Sequence, residues 1–246
     1  MIVVATAVLT AVTWSSIGPL RTEGRDLQQD YFSIHRVGTD VGIYERVTDA
    51  ELAEMGTSSQ GIPINAHPPT SVVLFAPFRL LDFSTTVIVW SVLSLLALST
   101  AIWLAARQVG RRWLFWIVFA LGWWYPLTFH LRFGQWSTII LLTSVLTWIG
   151  LESDRPALTG LPIAVAGAIK ITPFALVVVP LIHRRWRAVT WAAAAGAVLG
   201  LIAIALEPGA ILEFLGMSGD TDDAVRGAFC NGSLFGLISR TFGGGP

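Results

Sequence analysis

The chain has one cysteine, one lysine and few charged residues of any kind. Cys230 stands alone among 246 residues, so no intrachain disulfide can form, and no cluster of cysteines and histidines indicates a zinc or iron–sulfur site. Acidic and basic residues balance at 16 each, which removes the long-range field that would attract nucleic acid. We therefore expect no cofactor, no metal site built from cysteine or histidine ligands and no nucleic-acid partner.

Long apolar runs, by contrast, are abundant. Hydrophobic residues make up 54% of the chain and charged residues 13%, whereas soluble domains average about 25% charged residues. A helix needs roughly 20 apolar residues to cross a bilayer. The predicted spans cover residues 1–17, 85–106, 113–130 and 188–206, with a shorter run at 136–151 and an interrupted one at 157–182. The sequence therefore predicts an all-α, polytopic integral membrane protein.

Arginines in short loops indicate the side of the membrane, because basic residues are retained in the cytoplasm. One arginine cluster lies at 107–112 and another at 184–187. If both are cytoplasmic, residues 19–83 and 207–228 form two extracytoplasmic loops. The first loop has 65 residues, with nine acidic side chains against five arginines. Because long loops on a helical scaffold are often functional, we expect the active site there.

The number of membrane crossings after residue 130 must place both arginine clusters in the cytoplasm, and the run at 157–182 makes this number ambiguous. If 136–151 crosses the membrane inward, 157–182 must begin and end on the cytoplasmic side, as two half-helices broken at Lys170–Pro173. Proline favours a break because it removes a backbone donor. Alternatively, 136–151 is the re-entrant segment and 157–182 spans fully. Either arrangement implies a cavity, since irregular backbone within a membrane must be covered by protein or water.

Lys170 is the first candidate for chemistry. An ionisable side chain within an apolar run costs at least about 2.5 kcal/mol on insertion, and it usually faces a partner or a polar cavity. Its position at a helix break fits an anion site, such as one for phosphate. The structural alternative is a lysine that reaches the membrane interface or forms an ion pair.

The first loop and the segment after residue 130 supply the other candidates. Any of the nine loop carboxylates has the chemistry of a general base for a sugar hydroxyl, although most must be solvated surface. Arg132 and Gln135 flank Gly134 and are donor-rich residues typical of phosphate or sugar sites. An interfacial turn anchored by Trp136 explains the same segment equally well.

Short motifs follow one another along the chain in a definite order. They are Asp30-Tyr31, Gly42-Ile43-Tyr44, His67-Pro68-Pro69, Gly134-Gln135, the segment from Gly167 to Pro173, the basic loop from Arg184 to Arg187, and Asn231-Gly232-Ser233. Together they resemble glycosyltransferase family 87 of the GT-C superfamily, which includes actinobacterial mannosyltransferases that use polyprenyl-phosphate mannose. The resemblance covers nearly the whole chain. It departs from the family at His67, where tyrosine is usual, and at Gly232, where glutamine is usual.

The resemblance implies one GT-C-like helical domain over 1–246, incomplete at its C-terminus, with several passes through the plasma membrane of a bacterium. It implies inverting transfer of a sugar, expected to be mannose, from a polyprenyl-phosphate donor to a glycolipid or glycan on the extracytoplasmic face. Asp30 is then the catalytic base. The expected substrate-binding residues are Tyr31, Tyr44, His67, Arg132, Gln135, Lys170 and Asn231. Lys170 and Arg132 would stabilise charge on the departing lipid phosphate.

Two other functions remain open at this point. A transporter or flippase would use Lys170 and the broken helix as a substrate site. An inactive, truncated membrane partner is the third possibility. The sugar, the acceptor, the linkage, metal dependence and the oligomeric state also stay open.

Overall fold

A computed structural model describes residues 24–54, 65–110 and 125–216, together with residues 11, 20, 113, 116 and 241. Within these residues every regular element is a helix, so the predicted all-α architecture is confirmed. The predicted first span at 1–17, most of the predicted span at 113–130, and Asn231 lie outside the described residues.

The helices fall into a short-helix region in the first loop and a longer-helix region after it. In chain order they are α1 (Arg25–Arg36), α2 (Asp49–Glu54), α3 (Thr70–Phe75), a 3₁₀ helix (Ala76–Leu80), α4 (Phe83–Val109), α5 (Tyr125–Phe133), α6 (Ser137–Glu152), α7 (Pro156–Ile169), a second 3₁₀ helix (Thr172–Val177), α8 (Val178–Ile182) and α9 (Trp186–Leu206). Residues 210–216 are also helical.

Among the residues that the structure describes, two helices are long and apolar enough to cross a membrane. They are α4, with 27 residues, and α9, with 21 residues, and each has a mean hydropathy of 2.2. Both contain the runs predicted as spans, 85–106 and 188–206. The Asp82 side chain accepts a hydrogen bond from the Thr85 N–H and so caps the start of α4. This candidate membrane span therefore begins directly after Asp82, the last acidic residue of the first loop.

α5 and α6 form a bent pair with an angle of 120° between them. The bend is at Gly134, whose φ of 72° lies in the left-handed region that favours glycine. A Cβ at this position would lie 2.5 Å from the Cβ of Leu27, so glycine also allows close approach to α1. The bend thereby places the start of α6 against the first loop.

The hairpin 156–182 begins and ends at one end of the bundle. Arg185, just before α9, donates a hydrogen bond to the Leu151 carbonyl near the end of α6. At the opposite end, the Thr70 hydroxyl donates a 2.8 Å hydrogen bond to the Ala168 carbonyl, beside the break at Lys170. Of the two alternatives raised by the sequence, the structure therefore has the pair of half-helices at 156–182.

Glycine allows α7 to pack closely on α9. A Cβ on Gly160 would lie only 2.3 Å from the Ala188 carbonyl oxygen, so the two backbones approach more closely than larger residues permit. This packing fixes the hairpin against the membrane-spanning helix α9.

Four aromatic side chains join the first loop to α4 and α6. Phe75 and Phe78 stack with ring centroids 4.3 Å apart, and Trp90 meets Trp136 edge to face at 4.7 Å. Such pairs contribute about 0.5–1.5 kcal/mol each beyond the burial of their area. Since Trp90 lies near the start of α4 and Trp136 directly precedes α6, both helices extend away from the same aromatic cluster.

Candidate active site

Helix α1 presents two carboxylates on one face. Asp26 and Asp30 lie four residues apart, a spacing that places side chains one turn above each other. Asp30 is 3% exposed and Asp26 is half-buried. Buried carboxylates need hydrogen-bond partners or a cation, so the surroundings of each decide its role.

Asp30 is held by two ring donors. Its Oδ1 lies 2.9 Å from Nδ1 of His67, and its Oδ2 accepts a 2.7 Å hydrogen bond from Nε1 of Trp136. A carboxylate can only accept, so Nδ1 of His67 carries the proton and Nε2 is the second nitrogen of the ring. Both oxygens of Asp30 are therefore engaged inside the protein, and its carboxylate orients the imidazole.

A hydrogen-bond network fixes the backbone that carries His67. The Asn65 side chain donates to the Ser33 hydroxyl at 2.8 Å and accepts from the His67 N–H at 2.9 Å. The Tyr44 hydroxyl donates to the His67 carbonyl at 3.0 Å. The Ser33 hydroxyl in turn lies 2.8 Å from the Gln29 carbonyl of α1 and 2.9 Å from the Ile43 carbonyl, and its one proton is shared between them. His67 is thus positioned by buried groups from three parts of the first loop.

A cavity of about 370 Å³ opens beside this network. It brings the face of α1 and the segment around His67 together with the tip of the hairpin. Its lining residues are Asp26, Gln29, Ala66, His67, Pro68, Lys170, Ile171, Thr172 and Phe214. One carboxylate, one imidazole and the only lysine of the chain therefore share a single cavity.

The electrostatics of the cavity give Asp26 and His67 unusual properties. Burial raises the pKa of Asp26 above its ordinary value, although His67 and Lys170 oppose the shift. Burial alone would lower the pKa of His67. The Asp30 carboxylate raises it by more, so the pKa of His67 lies above its ordinary value. Asp26 is therefore a stronger base than a solvated carboxylate, and His67 keeps its proton to higher pH than a free imidazole.

Two of the predicted substrate-binding residues, Lys170 and His67, line this cavity. Asp30, the predicted base, lies behind His67 and contacts its ring. Gln135 hydrogen-bonds Asp26 and also contacts His130. Gln135 thus contacts a carboxylate of the cavity, and its binding of substrate stays a prediction.

Tyr31 and Tyr44, both predicted to bind substrate, do not line the cavity. Tyr31 donates to the Leu81 carbonyl at 3.2 Å, and its ring packs against His35 and Phe83. Tyr44 is buried behind His67. Arg132 is half-buried on α5 and is not a lining residue either. The structure gives these side chains positions that support the fold around the site.

Sequence reasoning gave no role to Trp136 and Asn65 and did not favour Asp26 as the base. A membrane anchor is one of the two interpretations that the sequence allows for the segment of Trp136, and neither predicts the hydrogen bond from its indole N–H to Asp30, 106 positions away. The signal available in the sequence was the i, i+4 spacing of Asp26 and Asp30, which predicts one shared helix face. In the described ranges, no group of three or more His, Cys, Asp or Glu side chains is placed to hold a metal ion.

The fold and this cavity define a helical membrane protein with an acid–base cluster and a cation where its first loop meets the hairpin. Residues 65–246 match Glycosyltransferase family 87. The chain belongs to this family.

Two curated relatives are mycobacterial proteins named polyprenol-phosphate-mannose-dependent alpha-(1-2)-phosphatidylinositol pentamannoside mannosyltransferase. The one from Mycolicibacterium smegmatis is 30% identical over 72% of this chain and 44% of its own length. The one from Mycobacterium tuberculosis is 28% identical over 44% of this chain and 26% of its own length. The chain thus aligns with less than half the length of either relative. No solved structure matches it.

Proposed function

We propose that the protein transfers a sugar, with mannose as the expected one, from a polyprenyl-phosphate donor to a hydroxyl of a glycolipid or glycan on the extracytoplasmic face. The observation that carries the proposal is the cavity in which Asp26, His67 and Lys170 meet. Family membership supports the reaction type, and the names of the relatives support the donor.

The reaction needs a base for the acceptor hydroxyl and cations for the leaving phosphate. The base removes the hydroxyl proton as the oxygen attacks the anomeric carbon from the side opposite the phosphate. The bond from that carbon to the phosphate oxygen breaks, and the lipid phosphate leaves with its electron pair. The configuration at the anomeric carbon is therefore inverted. The proton passes from the base to water.

Asp26 is the carboxylate that we propose as this base. It lines the cavity, and burial raises its pKa toward the working range of a general base. Asp30, the base predicted from the sequence, has both oxygens engaged by His67 and Trp136, and we assign it the orientation of His67. The choice of Asp30 stays a prediction that the same experiment tests.

Lys170 and His67 are proposed to stabilise the leaving phosphate. Lys170 sits at the hairpin tip as a point charge, and His67 has a raised pKa that favours the imidazolium. Fixed cations in a site with little water lower the energy of developing negative charge. Because Lys170 lies at the first-loop end of the hairpin, this arrangement supports a transferase better than a carrier that must open to both faces.

The experiment compares three Asp→Asn variants in membranes that contain the expressed protein, with radiolabelled polyprenyl-phosphate mannose and a glycolipid acceptor. Asp26→Asn is expected to lower the transfer rate by about 10² to 10⁴, the usual contribution of a general base. Asp30→Asn is expected to lower it by less, because the amide oxygen still accepts from one of the two ring donors, while loss of the carboxylate lowers the pKa of His67 and weakens its contact with the phosphate. Asp40→Asn, at an exposed turn position, is the matched control. Near-normal transfer by Asp26→Asn, with loss in Asp30→Asn, would restore Asp30 as the base.

A further inference from the structure

A second cavity lies at the opposite end of the hairpin from Lys170. Its volume is about 390 Å³, and it forms where the turn between α6 and α7 meets the turn between α8 and α9. The charged residues of its lining are Asp154, Arg155, Arg184, Arg185 and Arg187, a formal net charge of +3. None of them takes part in the proposed transfer. We propose that this basic pocket binds the phosphate group of an acidic membrane lipid.

Three of the four guanidinium groups are available to a ligand. Arg185 donates to the Leu151 carbonyl and lies 3.3 Å from Asp154, the only acidic residue of the lining. The side chains of Arg155, Arg184 and Arg187 are exposed, and among the described residues they have no hydrogen-bond or ion-pair partner. Like charges around one cavity repel each other, so an anion between them lowers the energy. Arginine also matches phosphate geometry, since its planar fork can donate two parallel hydrogen bonds.

The backbone adds positive potential to the same pocket. Helices α7 and α9 begin at Pro156 and Trp186, and both residues line it. Neither helix start has a side-chain cap. Pro156 has no N–H, so the free donors of α7 are the amides of Ala157 and Leu158, and those of α9 are the amides of its first two residues. The N-terminus of a helix carries a partial positive charge that favours anions. Two such ends and three free guanidinium groups therefore act together.

The depth of the pocket favours a lipid over a soluble anion. Helix α9 is a membrane-span candidate, and the pocket is at its first residues. Trp186 and Trp191, in its first two turns, are 61% and 47% exposed. Exposed tryptophans concentrate at the level of the lipid headgroups. The phosphates of acidic lipids are concentrated at this level, and basic pockets at helix ends are known to attract them.

The test measures which lipids the purified chain retains. Detergent-solubilised protein is mixed with equal amounts of phosphatidylglycerol and phosphatidylcholine of identical acyl chains, and bound lipid is counted by native mass spectrometry. We expect a preference for phosphatidylglycerol that falls about tenfold or more in Arg155→Gln/Arg187→Gln. Basic residues near the membrane surface strengthen the binding of anionic lipid additively, and a tenfold fall corresponds to about 1.4 kcal/mol.

Two further variants separate charge at the pocket from bulk charge and from misfolding. Arg155→Lys/Arg187→Lys keeps the charge and is expected to keep most of the preference. Arg46→Gln/Arg79→Gln removes two exposed arginines of the first loop and is expected to keep it fully. Equal retention of both lipids by the unmodified chain overturns the proposal. So does an equal loss in the first-loop control or in the lysine variant. Displacement of bound lipid by millimolar inorganic phosphate would instead identify a soluble-anion site.

Discussion

The indole of Trp136 donates a 2.7 Å hydrogen bond to Asp30, and this bond joins the start of α6 to a helix of the first loop. The donor ring is itself fixed by edge-to-face contacts with Trp90 and Phe75. The membrane helices therefore set the position of Asp30, which in turn orients His67. Packing in the aromatic cluster and geometry at the site are thus coupled.

Trp136→Phe should test this coupling. Phenylalanine keeps an aromatic ring in the cluster but removes the N–H, which leaves Oδ2 of Asp30 buried without its partner. The expected cost is about 1–3 kcal/mol of unfolding free energy, measured by thermal unfolding in detergent. Activity should fall with a reduced kcat, because His67 loses its fixed orientation. Trp191→Phe, on the exposed side of α9, should change neither quantity. Equal behaviour of the two variants would show that the Trp136 bond does not position the site.

The first-loop cavity shows what the sequence could and could not predict. Hydropathy located α4 and α9, because their apolar runs need no tertiary information. The i, i+4 spacing was visible too, but burial decides which carboxylate faces the cavity, and burial depends on Trp136 far along the chain. Which of Asp26 and Asp30 lines the cavity therefore depends on the contact of Trp136 with α1, which the sequence does not show.

For a related reason, the sequence does not show whether 157–182 crosses the membrane or turns back. A break at Lys170–Pro173 is readable from proline chemistry, but the direction of the second arm is not. That direction is set by close contacts such as Gly160 against Ala188 and by the hydrogen bond from Arg185 to Leu151. Such contacts join residues about 30 positions apart and leave no periodic signal.

Asp26→Asn should stabilise the protein while it lowers activity. The pKa of Asp26 is raised in the folded state, so folding disfavours its charged form. The contribution of Asp26 to stability is therefore greatest below its unfolded pKa, is lost as pH rises through its raised folded pKa, and stays lost at neutral pH. Removing the charge is therefore expected to raise the midpoint of thermal unfolding at pH 7. The gain should disappear near pH 3, where wild type and variant are both neutral. A lower midpoint at pH 7 would contradict the buried-charge account.

The ion pair of Arg36 with Glu51 should stabilise the first loop in a pH-dependent way. Arg36 donates to both Glu51 oxygens at 2.7 and 2.9 Å and to the Glu45 carbonyl at 2.6 Å. Burial alone would raise the pKa of Glu51, but hydrogen bonds from Thr48 and Arg36 lower it below the ordinary value. Its contribution is therefore present above the unfolded pKa and is lost as pH falls through the lowered folded pKa.

Glu51→Gln is the variant that tests this pair, with Glu54→Gln on the same helix as its exposed control. We expect a loss of about 1–3 kcal/mol at pH 7, because the buried guanidinium keeps its charge without a counter-ion. Unfolding midpoints at pH 7 and near pH 3 measure the effect. The difference from wild type should shrink at the lower pH, and a constant difference would indicate packing instead of charge.

Lys170 should be visible in the pH profile of the reaction as well as in its rate. Its positive charge lowers the pKa of Asp26 against the effect of burial. In Lys170→Met this opposition is lost, so the acidic limb of the kcat/KM profile is expected to move to higher pH. The maximal rate should also fall by roughly 10² or more, as it does when a fixed charge that stabilises a leaving group is removed. Lys170→Arg should restore the position of the limb but only part of the rate, because a planar fork replaces a point charge. A lysine with a purely structural role would lower the amount of folded protein and leave the profile in place, and that outcome would remove Lys170 from the site.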